Sequence, residues 1–152
     1  YMPMHYVIKK EIGKKKRILQ PLLPNIFFVY STREEVNSII KKKMDELPII
    51  KFYLDKTKKI EANGKHPPLT IPFAAMLNFI KATSTDSEHV RIVSSEQCHY
   101  KTGDIVNVID GEFKGVTGKV ARIAGQQRVV VEISGLCLVA TAYIPSSFIE
   151  RK

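Results

Sequence analysis

The sequence predicts an α+β layer followed by a small all-β barrel. Three observations carry this expectation. Residues 1–83 mix β-branched and aromatic runs with two stretches of helical periodicity. Residues 101–152 hold five short strand-like segments separated by glycine-bearing turns. Between them, residues 84–100 are rich in Ser, Thr and acidic side chains, which is the composition of a linker, with one short β-like stretch at 90–93.

Taken in order, MHYVIKK (4–10) and NIFFVY (25–30) read as strands from their β-branched and aromatic content. Ser31 and Glu34 form a capping-box pair, in which the hydroxyl accepts from the Glu34 amide while the carboxylate reaches back. Val36, Ile39, Ile40, Met44 and Leu47 then recur at helical spacing, predicting a helix of about three turns that Pro48 ends. IIKFYL (49–54) reads as another strand, and Asn63-Gly64 supplies a turn with positive φ. Pro72 is tolerated in a first helical turn and opens PFAAMLNFIKA (72–82). The five later strands are DIVNVI (104–109), KVARI (119–123), RVVVEI (128–133), LCLVATA (136–142) and SFIERK (147–152). So many short strands in about fifty residues favour a closed barrel, which removes exposed edges.

Within IDGEFKGVTGKV (109–120), Gly111 and Gly115 allow a tight loop between the first two of these strands. Gly118 permits a bulge or a close approach of two backbones. Phe113, at the loop's tip, either folds back to plug the barrel end or faces a partner.

Composition bounds the function. The chain of 152 residues carries 24 Lys+Arg against 15 Asp+Glu. The excess is concentrated in residues 1–65, with 15 basic and 7 acidic side chains. Lys14, Lys15, Lys16 and Arg17 form one run and Lys41, Lys42 and Lys43 another. Such clusters suit polyanions through counterion release, and equally suit a solvated, solubilising face. No apolar stretch spans a bilayer and no signal peptide is evident, so no membrane association is expected. Two cysteines, Cys98 and Cys137, fit a reducing, cytoplasmic compartment. A phosphate loop is excluded, because Phe113 stands five before Gly118 and Val120 follows Lys119. Cys98, His99 and His89 lack a second ligand pair, so no metal is expected. No paired carboxylates or Ser-His-acid arrangement points to an enzyme or to a cofactor.

Gly103, Val106, Val108, Gly111, Phe113, Lys114, Gly115, Gly118 and Val120 resemble the KOW motif of NusG-type transcription factors and several ribosomal proteins. PLLPNIFFV (21–29), LPIIKFYL (47–54) and LTIPFAAMLNFI (69–80) resemble, in order, the signature, following strand and last helix of the NusG N-terminal (NGN) domain. SGLCLVATAYIPSSFIE (134–150) is similar to the specialised NusG branch from polysaccharide operons of Bacteroides-type bacteria.

The resemblance implies an NGN-like domain over residues 1–83, an antiparallel sheet with helices, then a linker over 84–100 and an SH3-like KOW barrel over 101–152. It implies a transcription elongation and antitermination factor that binds the β′ clamp helices of RNA polymerase. By position, Ile26, Phe28, Phe52 and Met76 would form the apolar polymerase pocket, with plain core packing as the alternative for each. Lys14, Lys15, Lys16 and Arg17 would track nucleic acid of the transcription complex. The barrel would recruit Rho or a small-subunit ribosomal protein; Ile133-Ser134-Gly135 stands where relatives place an aromatic before the glycine. Relatives open with a Trp-Tyr strand and a helix, whereas this chain has no Trp and starts at Tyr1. The expectation is that the NGN-like domain lacks its first strand and helix and self-associates through the edge so exposed. A ribosome-associated or general RNA-binding KOW protein is the other function open to these residues.

Overall fold

The computed structural model describes residues 1–43, 46 and 50–152, with backbone alone for 101–104. Among the described residues it is a mixed α+β fold with two antiparallel sheets and two α-helices. Contacts divide the chain into two compact units. One comprises Tyr1 and Phe28–Thr70; the other comprises Met2–Phe27 and Ile71–Lys152.

The larger unit begins with a hairpin. β1 (Met4–Glu11) pairs with β2 (Lys14–Pro21) around a two-residue turn at Ile12 and Gly13, where φ is 46° and 74°. β2 coincides with the basic run, whose charge alone does not mark it as a strand. The next regular element of this unit is α2 (Phe73–Thr83), which starts directly after Pro72 as expected. A six-stranded sheet follows, in the order β3-β7-β6-β5-β4-β8. Its strands are β3 (Arg91–Val93), β4 (His99–Val108), β5 (Thr117–Ile123), β6 (Gln126–Ile133), β7 (Cys137–Ala140) and β8 (Ile149–Arg151). All five strand-like segments expected after residue 101 are strands, and β3 lies on the short β-like stretch at 90–93.

The core of this unit explains its order. Val129, Val130 and Val131 are all buried, so β6 is covered on both faces, as a central strand must be. On one face, Val130 clusters with Val93, Cys98, Ala121, Ile123 and Ala140. Phe79 of α2 is completely buried, and α2 packs against β6.

Two side-chain ties run across the expected boundaries of the domains. Asn78 of α2 donates to the Thr117 carbonyl at 2.6 Å and accepts from the Thr117 N–H at 2.8 Å. Arg128, buried in β6, donates from one guanidinium nitrogen to the carbonyls of His89 (3.0 Å) and Thr141 (2.6 Å). Residues 71–83 therefore belong with the sheet, and part of the stretch read as a linker, 84–100, is built into it as β3 and the start of β4.

In the smaller unit, α1 (Arg33–Lys42) is capped one residue later than the sequence suggested. Thr32 accepts from the Glu35 N–H while Glu35 accepts from the Thr32 N–H, and Ser31 donates to the same carboxylate at 2.6 Å. Met44, Leu47 and Pro48, expected to complete and end this helix, lie outside the described residues. Neither NIFFVY (25–30) nor the described part of IIKFYL (50–54) forms a ladder; Leu54 makes an isolated bridge with Pro68. The backbone pairing described there is short: the Phe28 N–H donates to the Tyr1 carbonyl at 2.7 Å, the Leu69 N–H to the Tyr53 carbonyl at 2.8 Å and the Asp55 N–H to the Pro67 carbonyl at 2.8 Å. Gly64 adopts the expected positive φ, at 76°.

Candidate functional site

The β4–β5 connection holds the glycine-rich motif. Gly111 and Gly115 have φ of 80° and 84°, a region that side chains with a Cβ enter only at a cost. The Gly115 N–H donates to the Val108 carbonyl at 2.7 Å and the Val108 N–H to the Val116 carbonyl at 2.9 Å, closing the loop onto the strand it leaves. Gly118 makes the close backbone approach: a methyl group there would run into the Val130 carbonyl oxygen and stand 2.7 Å from Val129 Cγ1. Phe113 is 4% exposed. Its ring folds inward, away from solvent. Gly103 lies within β4.

The four residues expected to form an apolar pocket are all half-buried. Ile26 and Met76 belong to the larger unit, Phe28 and Phe52 to the smaller, so neither unit gathers the four by itself. Over 50–54 the side chains alternate, with Ile50, Phe52 and Leu54 half-buried and Lys51 and Tyr53 exposed, the alternation that the sequence suggested. Beside them Asp55 is buried at 4% exposure. Hydrogen bonds from Thr57 first, and the nearby Lys58 charge after them, hold its carboxyl below the usual carboxylate range.

The basic run is split by the structure. Lys14, Lys15 and Lys16 are exposed near the hairpin's end. Arg17 is tied down: its Nε lies 3.0 Å from Glu88, a terminal nitrogen donates to the Asp86 carbonyl at 2.7 Å, and the guanidinium stacks 3.7 Å from the Tyr6 ring centre. It locks the hairpin to the loop before β3. The sequence reading missed Lys9 and Lys10, which the antiparallel register brings opposite Lys16 and Lys15. Recognising 4–21 as one hairpin around Ile12-Gly13 would have found them. Lys41, Lys42 and Lys43 are exposed at the end of α1, where positive charge complements the helix dipole.

Cys98 is buried and donates to the Ser94 carbonyl, and both cysteines are free thiols. Burial pushes the Cys137 thiol up to about 11. The Tyr100 hydroxyl is pushed up to about 12, by burial first and then by Cys98 and Glu132. Among the described residues, no group of three His, Cys, Asp or Glu side chains is placed to hold a metal ion. No helix among them is long and apolar enough to cross a membrane. Compared with known proteins, the chain matches no family model, no curated protein and no solved structure.

Proposed function

We propose that the chain is a NusG-type transcription elongation and antitermination factor, acting by binding RNA polymerase and a further factor rather than by catalysis. The observation that carries this reading is the β4–β5 connection. Each motif residue does there what a KOW-type turn asks of it: two left-handed glycines, one buried aromatic and one glycine pressed against a neighbouring strand. The half-buried alternation at Ile50, Phe52 and Leu54 supports a partner-binding role for the smaller unit. A few aromatics carry most of the energy of such interfaces, and truncating one costs about 2 kcal/mol or more. Phe52→Ala should therefore weaken binding to purified RNA polymerase at least ~30-fold while the thermal midpoint moves little. Intact polymerase binding, or loss of folding, would remove Phe52 from this role.

A general RNA-binding or ribosome-associated role is the second reading. It is favoured by one observation, the exposed lysines on a hairpin in the same unit as the motif. Co-purification with polymerase at moderate salt separates it from the first; co-sedimentation with ribosomes without polymerase selects the second. Rho or a small-subunit ribosomal protein remains the proposed partner of the sheet, testable in the same pull-down.

A further inference from the structure

The end of the β1–β2 hairpin combines three features that folding alone disfavours. Ile12 occupies the first position of the two-residue turn at φ 46°, a conformation that suits Asn or Asp and strains a β-branched side chain. The same residue is fully exposed, so no burial offsets the strain. Lys9 faces Lys16 and Lys10 faces Lys15 directly across the ladder, and like charges so placed repel. Glu11, opposite Lys14, is the one carboxylate on the two strands.

Pairing fixes where these charges point. Cross-strand partners share a face and successive residues alternate, so Lys10 and Lys15 project from one face of the ribbon, Lys9 and Lys16 from the other. A membrane surface would be met by one basic face with an apolar band beside it. Cations on both faces with an apolar tip fit a cleft walled by anions on both sides. The major groove of B-form DNA is such a cleft: about 12 Å wide, it admits a two-stranded ribbon, and its floor presents apolar thymine methyl groups. The corresponding groove of A-form RNA is too deep and narrow to be read this way.

We propose that the β1–β2 hairpin enters the major groove of duplex DNA, with Lys9, Lys10, Lys15 and Lys16 on the phosphate walls and Ile12 against the base edges. This does not depend on the polymerase reading and stands if that reading fails. Arg17 is outside the site, since its guanidinium is already engaged by Glu88, Asp86 and Tyr6.

The test is fluorescence anisotropy with a 20-base-pair mixed-sequence duplex over a salt series, using the full chain. Replacing the four lysines together by Gln should make the slope of log K against log salt shallower by about 3.6, at about 0.9 per phosphate contact. Arg17→Gln should leave that slope unchanged. Ile12→Asn should raise the thermal midpoint, because Asn-Gly is the favoured turn, and yet weaken duplex binding about fivefold. These opposite signs separate the proposal from a folding defect. An unchanged slope in the quadruple variant, or an unchanged affinity in Ile12→Asn, would overturn it. So would tighter binding to the single strand, or lysine-dependent binding to phosphatidylserine vesicles without binding to the duplex.

Discussion

In the larger unit Val129, Val131 and Val139 are sealed from solvent, and Phe79 and Phe113 are buried with them. In the unit of residues 28–70, the one buried residue among those described is a carboxylic acid, Asp55. Polar ties join the described part of that unit: the Thr32–Glu35 cap, the bidentate Arg33–Glu61 pair at 2.9 Å, and the Asp55–Thr57 turn. A dry core gives stability that is insensitive to salt and charge. Exposed ion pairs add little in high dielectric, and both they and carboxylate caps weaken when charges are removed. The smaller unit should thus be the weaker of the two and the more responsive to conditions.

The largest expected effect lies in the strong unit. Phe79→Ala should cost about 3–5 kcal/mol, seen as a lowered midpoint in urea or thermal unfolding. A loss no greater than that for Phe52→Ala would break the contrast between the units. Gly118→Ala should cost about 1–3 kcal/mol, since the added methyl meets the Val130 backbone and cannot be relieved by a side-chain rotation.

Limited proteolysis gives the next test. Cleavage should begin within residues 28–70 and leave 71–152 resistant. Earlier cutting at 84–100, releasing 101–152 alone, would show that Asn78 and Arg128 do not hold α2 and β3 to the sheet.

The two units should also fail at opposite ends of the pH scale. Glu35, Asp55 and Glu61 have folded pKa values below their ordinary ones, through hydrogen bonds from Ser31, Thr57 and Arg33 respectively. Their stabilisation is present above the ordinary carboxylate range and is lost as pH falls through the lowered values. Cys137 and Tyr100 are raised, to about 11 and about 12, so their contribution is present below their unfolded values and is lost as pH rises toward those limits. Three such carboxylates lie in 28–70 and one, Glu96, held down first by Ser94, in the larger unit, so acid should loosen 28–70 first and alkali the sheet. Cys137→Ala should flatten the alkaline limb between pH 9 and about 11. Probes in the two units that respond together at both extremes would contradict the distinction. The smallest expected change is Thr32→Ala, about 1 kcal/mol confined to α1, visible as faster amide exchange in its first turn.

Local chemistry was legible over much of the described chain. The later strands, α2 after Pro72, the left-handed glycines at 64, 111 and 115, and the alternation around Phe52 all follow from interactions within a few residues. The shift of the cap from Ser31 to Thr32 is of the same kind, since both hydroxyls reach one carboxylate. For the candidate sites, the sequence named Lys14, Lys15 and Lys16 but not Lys9 and Lys10, because charge runs are visible along a chain while cross-strand neighbours are not.

By itself, then, the sequence determined which segments can be strand, helix or turn, since periodicity and turn residues act over short range. Tertiary structure alone decided which segments belong together. The composition of 84–100 says linker, yet Arg128 draws the His89 carbonyl in and β3 completes an edge of the sheet. The aromatic content of 25–30 says strand, yet the segment forms no ladder; Phe28 instead exchanges hydrogen bonds with Tyr1, a pairing that no rule of local spacing supplies. Arg17 reads as a free cation and is held by Glu88, 71 residues away in the chain. Partner choice over such distances is set by which surfaces bury one another, and that is settled only when the chain has folded.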